Sequence, residues 1–387
     1  MKVCFDTFGC RLNRAEALAQ EAGFVARGWQ TTESHADADL IIVRGCSVTS
    51  RAQRDCEKLV AHIIEKYPTK RVVVTGCLKE KRNEAILRDL SLDEIPTRTA
   101  RAYLKVQDGC SGGCTFCIVP KFRGRAVSVP YESAIDKAKR FIDAGYREIV
   151  LTGCNLTMYS SNGRHLADLA NVIASLDANC RVRVGSVEPG AAAHELIDAM
   201  AENVNICRYL HLPIQSGSNM ILSAMRRPYS IKTVEDVVSK ALAKMPLLAI
   251  GCDLMVGFPG EGDLEYLATR TLFRHIPISR AHVFPYSERP GTSAAALPNE
   301  VPKEVRHERA RELADVADGE RTRYAKKMVG REVEIVVEDA NSVAGWTSEY
   351  LWCRAQHDLA ERFRSKRRER VKMRVLKTEG HMLIGSL

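Results

Sequence analysis

Three closely spaced cysteines, Cys110, Cys114 and Cys117, constrain the fold of this chain more than any other feature. Glycines stand before and between them, so one short loop can bring three sulfurs to one point, as an iron-sulfur site requires. A structural zinc site usually has a fourth Cys or His nearby, and none follows Cys117 for many residues. The Cys-x-x-x-Cys-x-x-Cys spacing therefore predicts three thiolates around one [4Fe-4S] cluster whose fourth iron has no protein ligand. A zinc knuckle or incidental buried thiols are the alternatives.

The segment from Met1 to about Arg88 alternates short apolar strands with helix-like runs, which is typical of a parallel sheet. Each of its three predicted strands is followed by a Gly-Cys pair. These pairs are Gly9-Cys10, Gly45-Cys46 and Gly76-Cys77. Because the carboxyl ends of parallel strands meet at the ligand-binding edge of a sheet, we expect Cys10, Cys46 and Cys77 to form a second three-thiolate site. Ordinary buried cysteines are the alternative.

From about residue 98 to residue 280 the alternation of strand and helix continues on a larger scale. A strand at residues 148–152 follows a helix at 131–144, and a strand at 181–185 follows a helix at 166–176. Repeated β-α units with right-handed crossovers curl into a barrel or partial barrel, and barrel enzymes bind ligands at the carboxyl ends of the strands. The polar residues and glycines predicted at those ends include Gly153, Asn155, Ser186, Glu188 and Gln215.

The segment from Arg321 to Leu387 is basic. It holds 15 Lys and Arg residues against 9 Asp and Glu, which is +6 of the chain's net charge of +9. Strand-like runs at residues 331–338, 350–355 and 371–377 predict a small all-β domain. Basic side chains can neutralise RNA phosphates and aromatic rings can stack on bases; a solvated charged loop and an aromatic core are the alternatives. The predicted RNA contacts in this segment are Trp346, Tyr350, Arg364, Arg367 and Arg368.

Composition narrows the class of protein. The sequence has no apolar run of about 18 residues and no N-terminal signal pattern, so we expect a soluble cytoplasmic protein without a membrane partner. Its 13 cysteines, an odd number, favour thiolate-metal chemistry in a reducing compartment over disulfides. The positive net charge suits a polyanionic partner.

At the cysteine triplet the chain resembles the radical S-adenosylmethionine (SAM) enzymes, whose signature has an aromatic residue before the last cysteine, here Phe116. Together with the three Gly-Cys pairs, the triplet makes the chain similar to the methylthiotransferase family, which converts carbon-hydrogen bonds to carbon-SCH3 on tRNA or on a ribosomal protein. The resemblance covers essentially the whole chain. It is carried by Thr7-Phe-Gly-Cys-Arg-Leu-Asn13, Cys46-Ser-Val-Thr49, Val74-Thr-Gly-Cys77 and residues 110–125. One departure is Arg44-Gly45, where the family often has Asn-Thr.

The resemblance implies an α/β chain in three parts. These are an N-terminal parallel-sheet α/β domain at residues 1–92, a central radical-SAM partial (β/α)6 barrel at residues 98–318, and a small all-β TRAM-like RNA-binding domain at residues 321–387. It also implies two [4Fe-4S] clusters, one bound by Cys110, Cys114 and Cys117 and an auxiliary one bound by the cysteines of the Gly-Cys pairs. The open iron of the first binds SAM and yields a 5'-deoxyadenosyl radical, and the second holds the sulfur to be transferred.

The resemblance further implies binding roles for single residues, and none is assigned a catalytic role beyond the cluster ligands. The candidates for the SAM pocket are the five strand-end residues Gly153, Asn155, Ser186, Glu188 and Gln215, although Glu188 before Pro189 is also a plausible turn residue. Asn13, Arg123 and Arg125 are candidate substrate or RNA contacts. Arginines at the last two positions can hold phosphate or carboxylate by paired hydrogen bonds, and a structural ion-pair role is the alternative.

An arginine at position 125 is closer to the family branch that acts on threonylcarbamoyladenosine in tRNA. We therefore expect addition of a methylthio group to carbon 2 of N6-threonylcarbamoyladenosine at position 37. The implied partners are the tRNA anticodon stem-loop, an electron donor such as flavodoxin or ferredoxin, and an unknown sulfur donor. The alternatives are action on N6-isopentenyladenosine in tRNA or on an aspartate of a small-subunit ribosomal protein. A non-catalytic iron-sulfur RNA-binding sensor is the alternative from a different class.

Overall fold

The computed structural model describes residues 1–78, 81–88, 90–356 and 366–387 of the chain. Its N-terminal part is a four-stranded parallel sheet with the strand order β2-β1-β3-β4. The strands are β1 (Lys2–Thr7), β2 (Gln30–Thr31), β3 (Leu40–Cys46) and β4 (Arg71–Cys77), and the helices are α1 (Arg11–Ala26) and α2 (Ser50–Lys66). A short 3-10 turn, Glu84–Leu87, follows the last strand. The predicted parallel α/β sheet is confirmed.

Strand β3 is buried along its whole length because helices cover both faces of the sheet. Its Ile41 packs in one core with Ile63 of α2, whereas its neighbour Ile42 packs in another core with Phe24 of α1. A parallel strand that is covered on both sides needs apolar residues at successive positions, and the run Leu-Ile-Ile-Val supplies them. The helices thus fix the sheet, whose carboxyl edge carries the Gly-Cys pairs.

The central part is an open barrel. Its strands are β5 (Ala102–Lys105), β6 (Gln107–Asp108), β7 (Val127–Ser128), β8 (Glu148–Thr152), β9 (Ser160–Ser161), β10 (Arg164–His165), β11 (Arg181–Val184), β12 (Tyr209–Gln215), β13 (Ala249–Val256) and β14 (Ile278–Pro285). Its helices are α3 (Val119–Arg123), α4 (Tyr131–Asp143), α5 (Leu166–Ala174), α6 (Ala191–Glu202), α7 (Asn219–Ala224), α8 (Ile231–Lys244), α9 (Asp263–His275) and α10 (Lys303–Lys326). Within the described ranges, none of the helices is long and apolar enough to cross a membrane.

Six parallel strands neighbour one another in the order β5-β8-β11-β12-β13-β14, with β11 and β12 joined by isolated bridges. The outermost strands, β5 and β14, belong to different sheets, so the barrel stays open between them. Helix α1 of the N-terminal part packs against β5 and helix α10 packs against β14. This arrangement confirms the predicted partial (β/α)6 barrel.

Side chains alternate along the barrel strands between an outer core and a polar lumen. Leu210 on β12 belongs to the core beneath the surrounding helices. Its neighbour His211 points the other way and lies 3.1 Å from an Asp253 carboxylate oxygen on β13. On β14, His282 lies 3.4 Å from the same carboxylate and accepts a hydrogen bond from Arg280 at 3.2 Å. The lumen is therefore lined by charged and hydrogen-bonding groups.

The C-terminal part is a closed barrel with the strand order β15-β16-β17-β19-β18. Its strands are β15 (Glu332–Asp339), β16 (Ala344–Thr347), β17 (Trp352–Ala355), β18 (Arg370–Glu379) and β19 (Met382–Ser386). Its core includes Tyr324 of α10 and the first residues of β12 and β13, Tyr209 and Ala249. The small barrel therefore covers the amino ends of central strands. The predicted all-β fold is confirmed, whereas its TRAM-like character and the domain boundaries stay predictions.

Candidate metal centres at the domain boundary

Three strand ends of the N-terminal sheet bring Cys10, Cys46 and Cys77 together; we call this set the N-terminal triplet. Cys46 and Cys77 end β3 and β4 as register partners, and Cys10 is the N-cap residue directly before helix α1. A Cβ atom added to Gly9 would lie 2.8 Å from Cys46 Cβ. Burial raises the pKa of Cys46, and the nearby Cys10 and Cys77 raise it further. The three thiols therefore share one location.

The backbone conformation favours glycine before Cys10 and Cys77. Gly9 and Gly76 have φ values of +96° and +99°, in the left-handed region that glycine enters without strain. A Cβ atom at Gly76 would also lie 2.5 Å from the carbonyl oxygen of Gly45. The Gly-Cys pairs thus allow tight turns and close approach between neighbouring loops.

The second set, Cys110, Cys114 and Cys117, lies on the loop between β6 and α3; we call it the barrel triplet. The backbone N–H of Gly112 donates to Cys110 Sγ at 3.3 Å. A Cβ atom on Gly112 would lie 3.2 Å from Cys110 Sγ and 3.9 Å from Cys114 Sγ, so this glycine sits between the two sulfurs. Burial raises the pKa of Cys117 to about 11. One compact loop thus presents all three sulfurs.

Both triplets fit a [4Fe-4S] cluster better than a single metal ion. In neither triplet do the three sulfurs lie within 4.8 Å of one another, a spacing that a single tetrahedral ion would demand. A cluster is wider, is held by thiolates, and is tuned by hydrogen bonds to its sulfur ligands. Guanidinium and backbone N–H groups already point at sulfurs in these two sites.

Arg123, six residues after the barrel triplet, joins the two sites. Its Nε donates to Cys77 Sγ at 2.9 Å, and its Nη2 donates to Asn13 Oδ1 at 2.8 Å. Its Nη1 donates to Glu16 and to Asp108, each at 3.0 Å, and its Nη2 donates to Glu16 at 3.0 Å as well. A guanidinium has five N–H donors, and Arg123 uses all of them within this boundary.

Glu16 of α1 is the acidic centre of that boundary. It is paired with Arg123, with Lys105 at 2.6 Å, and with Arg44, the residue that departs from the family pattern. Burial alone would raise the pKa of Glu16, but the hydrogen bonds from Arg123 and the surrounding positive charges lower it to about 2. Asn13 is fully buried nearby and donates to the carbonyl oxygens of Phe8 and Gly45, at 2.8 and 2.9 Å. Together these residues fix the two cysteine loops of β1 and β3 relative to the barrel.

A second arginine, Arg227, was not found by sequence reasoning. It donates from Nη1 to Cys114 Sγ at 2.9 Å, from Nη2 to Glu188 at 2.7 Å, and from Nε to Tyr229 at 2.7 Å. Its side chain is only 5% exposed. Cys114 is 113 residues away along the chain, so no local motif connects the two.

The predicted SAM-pocket residues lie at the carboxyl ends of β8, β11 and β12. The backbone N–H of Asn155 donates to Gln107 Oε1 at 2.8 Å, and the Asn155 side-chain amide lies 3.9 Å from Cys110 Sγ. Glu188 accepts the hydrogen bond from Arg227. Ser186 is exposed, and Gln215 has a backbone φ of +70°. A Cβ atom on Gly153 would lie 2.8 Å from the Gln107 side chain, which by itself explains the glycine. Their part in SAM binding stays a prediction.

The predicted RNA contacts fall into different surroundings. Arg125 and Arg367 are exposed, and Arg364 lies outside the described residues. Arg368 donates to the carbonyl oxygens of Thr97, Thr99 and Ala144, so this side chain holds the small barrel to the central one. The rings of Trp346 and Tyr350 stack with their centroids 4.7 Å apart. They face the barrel lumen, where the Arg183 guanidinium lies over Tyr350 and the Arg280 guanidinium lies over Trp346. The RNA-binding roles of these residues remain predictions.

Comparisons with known proteins agree with this geometry. Residues 104–273 match the family model described as Radical SAM superfamily, and residues 2–95 match the one described as Uncharacterized protein family UPF0004. The chain is 30% identical to the threonylcarbamoyladenosine tRNA methylthiotransferase MtaB of Bacillus subtilis, covering 90% of this chain and 89% of that protein. It is 33% identical to the MtaB of Chlamydia pneumoniae, covering 85% of each.

Relatives with another substrate in their name are about as similar. The tRNA-2-methylthio-N(6)-dimethylallyladenosine synthase of Chlorobium limicola is 30% identical, covering 87% of this chain and 86% of that protein. Among solved structures, the radical S-adenosylmethionine methyltransferase TsrM of Kitasatospora setae gives a TM-score of 0.56 at 12% identity, covering 76% of this chain and 77% of that one. The latter likeness shows the fold alone.

Proposed function

Because the chain belongs to the radical SAM methylthiotransferase family, we propose that it adds a methylthio group to carbon 2 of N6-threonylcarbamoyladenosine at position 37 of tRNA. The family uses SAM and [4Fe-4S] clusters. When bound, these groups supply a one-electron reductant, a radical that takes hydrogen from carbon, and the sulfur that replaces it. The proposal assigns one cluster to each triplet.

The observation that carries the proposal is the contact made by Arg123. Its guanidinium lies 2.9 Å from Cys77 of the N-terminal triplet and 3.0 Å from Asp108, two residues before Cys110 of the barrel triplet. Radical formation and sulfur transfer on one base require both sites within reach of the same nucleoside. One arginine thus contacts a cysteine of the N-terminal triplet and the strand that leads into the barrel triplet, and this supports such a double site.

The chain's own residues orient the sulfur ligands of the two sites. Arg227 holds Glu188 and Cys114 in fixed positions from a nearly buried location. Asn13 ties together the loops that carry Cys10 and Cys46. These contacts hold the sulfur ligands in place before any cluster or substrate binds.

The partner is tRNA, and we place the target in its anticodon stem-loop. The charge of +6 in residues 321–387 supports this binding because phosphate neutralisation by Lys and Arg provides most non-specific affinity for RNA. The exposed Arg125 and Arg367 are candidates for these contacts. An electron donor such as flavodoxin or ferredoxin and a cytoplasmic location complete the proposal.

The experiment compares substrates on anaerobically reconstituted protein. Anticodon stem-loops carrying threonylcarbamoyladenosine or dimethylallyladenosine are incubated with SAM and a reductant, and nucleosides are analysed by mass spectrometry. We expect about eight irons per chain, formation of 5'-deoxyadenosine, and the methylthio product from the threonylcarbamoyl RNA. Product from the dimethylallyl RNA alone would instead favour the second candidate, which the Chlorobium limicola relative supports. Absence of 5'-deoxyadenosine would favour the non-catalytic sensor.

A further inference from the structure

Several arginines from distant parts of the chain surround the Tyr350 ring inside the barrel. The guanidinium carbon of Arg11 lies 5.0 Å from the ring centroid, and that of Arg280 lies 5.1 Å from it. Arg321 of α10 is close enough to Arg280 and Tyr350 to interact with both electrostatically. We call Arg11, Arg280 and Arg321 the lumen arginines.

Other arginines near this ring have acidic partners. Arg183 donates to Glu148 at 2.8 Å, and Arg181 lies 2.6 Å from the same carboxylate. Arg101 lies 3.6 Å from Glu148 and 2.5 Å from Glu338. Each of these three arginines thus has a carboxylate partner, and together they form the floor of the lumen.

The lumen arginines lack such partners among the residues that the structure describes. Arg280 Nη1 and Arg321 Nε are buried atoms without a hydrogen-bond partner in the described part of the chain, where the Arg280 guanidinium donates only to His282. The acid that most affects Arg321 is Asp318, which is 68% exposed and lies against His381. A buried guanidinium N–H without an acceptor is unfavourable, so this arrangement calls for an anion.

The pKa shifts of Arg321 and Tyr350 also indicate an excess of positive charge in the lumen. Burial lowers the pKa of Arg321, and the charge of Arg280 lowers it further, to about 10. Burial alone would raise the pKa of Tyr350, but the charges of Arg11, Arg101 and Arg183 lower it instead. Positive charge thus exceeds negative charge around the Tyr350 ring.

The lumen arginines lie next to the proposed chemistry. Arg11 directly follows Cys10 of the N-terminal triplet, so the two Cα atoms are about 3.8 Å apart. On β14, His282 and Phe284 face the same way as Arg280 and are 42% and 39% exposed, so the lumen is open above Arg280 toward the carboxyl ends of the strands. A substituent on a base held at the triplets can enter the lumen from there.

We propose that Arg11, Arg280 and Arg321 bind the threonyl carboxylate of the substrate nucleoside and thereby select it over a neutral N6 substituent. The proposal rests on the function proposed above. Threonylcarbamoyladenosine carries a carboxylate at the end of its N6 substituent, whereas the dimethylallyl group is uncharged. Charge-assisted hydrogen bonds from arginine suit a carboxylate, and a site built for them disfavours a ligand that leaves them unpaired.

A backbone phosphate of the RNA has similar chemistry, so the experiment separates the two anions. Reconstituted full-length protein is titrated with three stem-loops that differ only at position 37: threonylcarbamoyladenosine, its threonine amide, and unmodified adenosine. We expect the acid to bind about tenfold to a hundredfold more tightly than the amide. Equal binding of acid and amide by the wild-type protein overturns the proposal whatever any variant does.

Variants then test the named side chains. Arg280→Gln should bring the acid-to-amide ratio close to one, and Arg280→Lys should restore part of it. Arg323→Gln is the matched control, because Arg323 is on the same helix as Arg321 and is 69% exposed. An equal loss of affinity for all three RNAs in Arg280→Gln would mean a phosphate contact and overturn the proposal. Circular dichroism and iron content check that each variant is folded.

The same samples separate this inference from the proposed function. If the wild-type protein methylthiolates the threonylcarbamoyl RNA but does not discriminate acid from amide, only the carboxylate site fails. If it methylthiolates the dimethylallyl RNA alone, both proposals fail.

Discussion

The two cysteine triplets offer the same ligands but are built by opposite means. The barrel triplet lies on one loop, and its geometry depends on residues close in sequence, such as Gly112. The N-terminal triplet is assembled from the ends of three strands, and its geometry depends on the sheet order β1-β3-β4 and on turns at Gly9 and Gly76. A local loop tolerates change in its surroundings better than a site that needs long-range register.

The arginine at each site repeats this contrast. Arg227 and Arg123 each donate to one cysteine sulfur at 2.9 Å. Arg227 is held by Glu188 and Tyr229 of its own barrel, whereas Arg123 reaches across the domain boundary to Glu16. The N-terminal triplet therefore depends on contact between domains, and the barrel triplet does not.

Removing each triplet should give the largest and most different effects. With Cys110, Cys114 and Cys117 replaced by alanine, we expect no 5'-deoxyadenosine and no product. With the cysteines of the N-terminal triplet replaced instead, 5'-deoxyadenosine should still form while methylthio product is absent. Each variant should hold about four irons instead of about eight.

The buried Cys180→Ala serves as the control for both triplets and should keep its full iron content. Iron analysis and chromatography of the reaction check these outcomes. Normal product from either triple variant would contradict the separation of roles.

A glycine-to-alanine substitution should disturb the N-terminal triplet more than the barrel triplet. Gly76→Ala puts a side chain at a φ of +99° and 2.5 Å from Gly45 O, so we expect a loss of about 1–3 kcal/mol in stability and poor cluster retention in the N-terminal triplet. Gly113→Ala is the matched change in the barrel loop, where an added Cβ has no atom within 4 Å. It should leave iron content unchanged. Denaturant unfolding and iron analysis test the pair, and equal tolerance would contradict the contrast.

Much of this contrast could be predicted from sequence, for a physical reason. Spacing within one loop and repeated Gly-Cys pairs at strand ends are local signals, and strand β8 was predicted at its observed bounds because its apolar run is uninterrupted. Arg227 was missed because its partner Cys114 lies 113 residues away. The strand predicted to begin at Tyr350 begins at Trp352, because Tyr350 has a φ of +66° and turns toward the lumen.

Glu16→Gln tests the contact between domains. The folded-state pKa of Glu16 is about 2, below its ordinary value of 4.5, so its ionisation stabilises the folded chain above the unfolded pKa, and this stabilisation is lost as pH falls toward 2. The difference corresponds to about 3 kcal/mol at pH 7. We expect Glu16→Gln to lower the free energy of unfolding at pH 7 by about that amount and to flatten its dependence between about pH 5 and pH 2.

Glu188→Gln is the matched change at the barrel triplet, because Glu188 is the carboxylate partner of Arg227. Arg227 still donates to Tyr229 in this variant, so the free energy of unfolding should fall less than in Glu16→Gln. Denaturant unfolding of the full-length protein before cluster reconstitution measures both variants across this pH range. A pH dependence of Glu16→Gln equal to that of the wild-type protein would show that this carboxylate does not stabilise the boundary.

The smallest expected effect concerns the clusters themselves. Arg123→Lys and Arg227→Lys keep the charge but remove the fixed guanidinium N–H that donates to Cys77 or Cys114. Hydrogen bonds to sulfur ligands raise the reduction potential of an iron-sulfur cluster, so each variant should lower the potential of one cluster by up to about 60 mV. Redox titration followed by electron paramagnetic resonance distinguishes the two clusters. Because Arg123 also joins the domains, Arg123→Lys should lower the unfolding free energy more than Arg227→Lys does. Equal unfolding free energies of the two variants would contradict this difference.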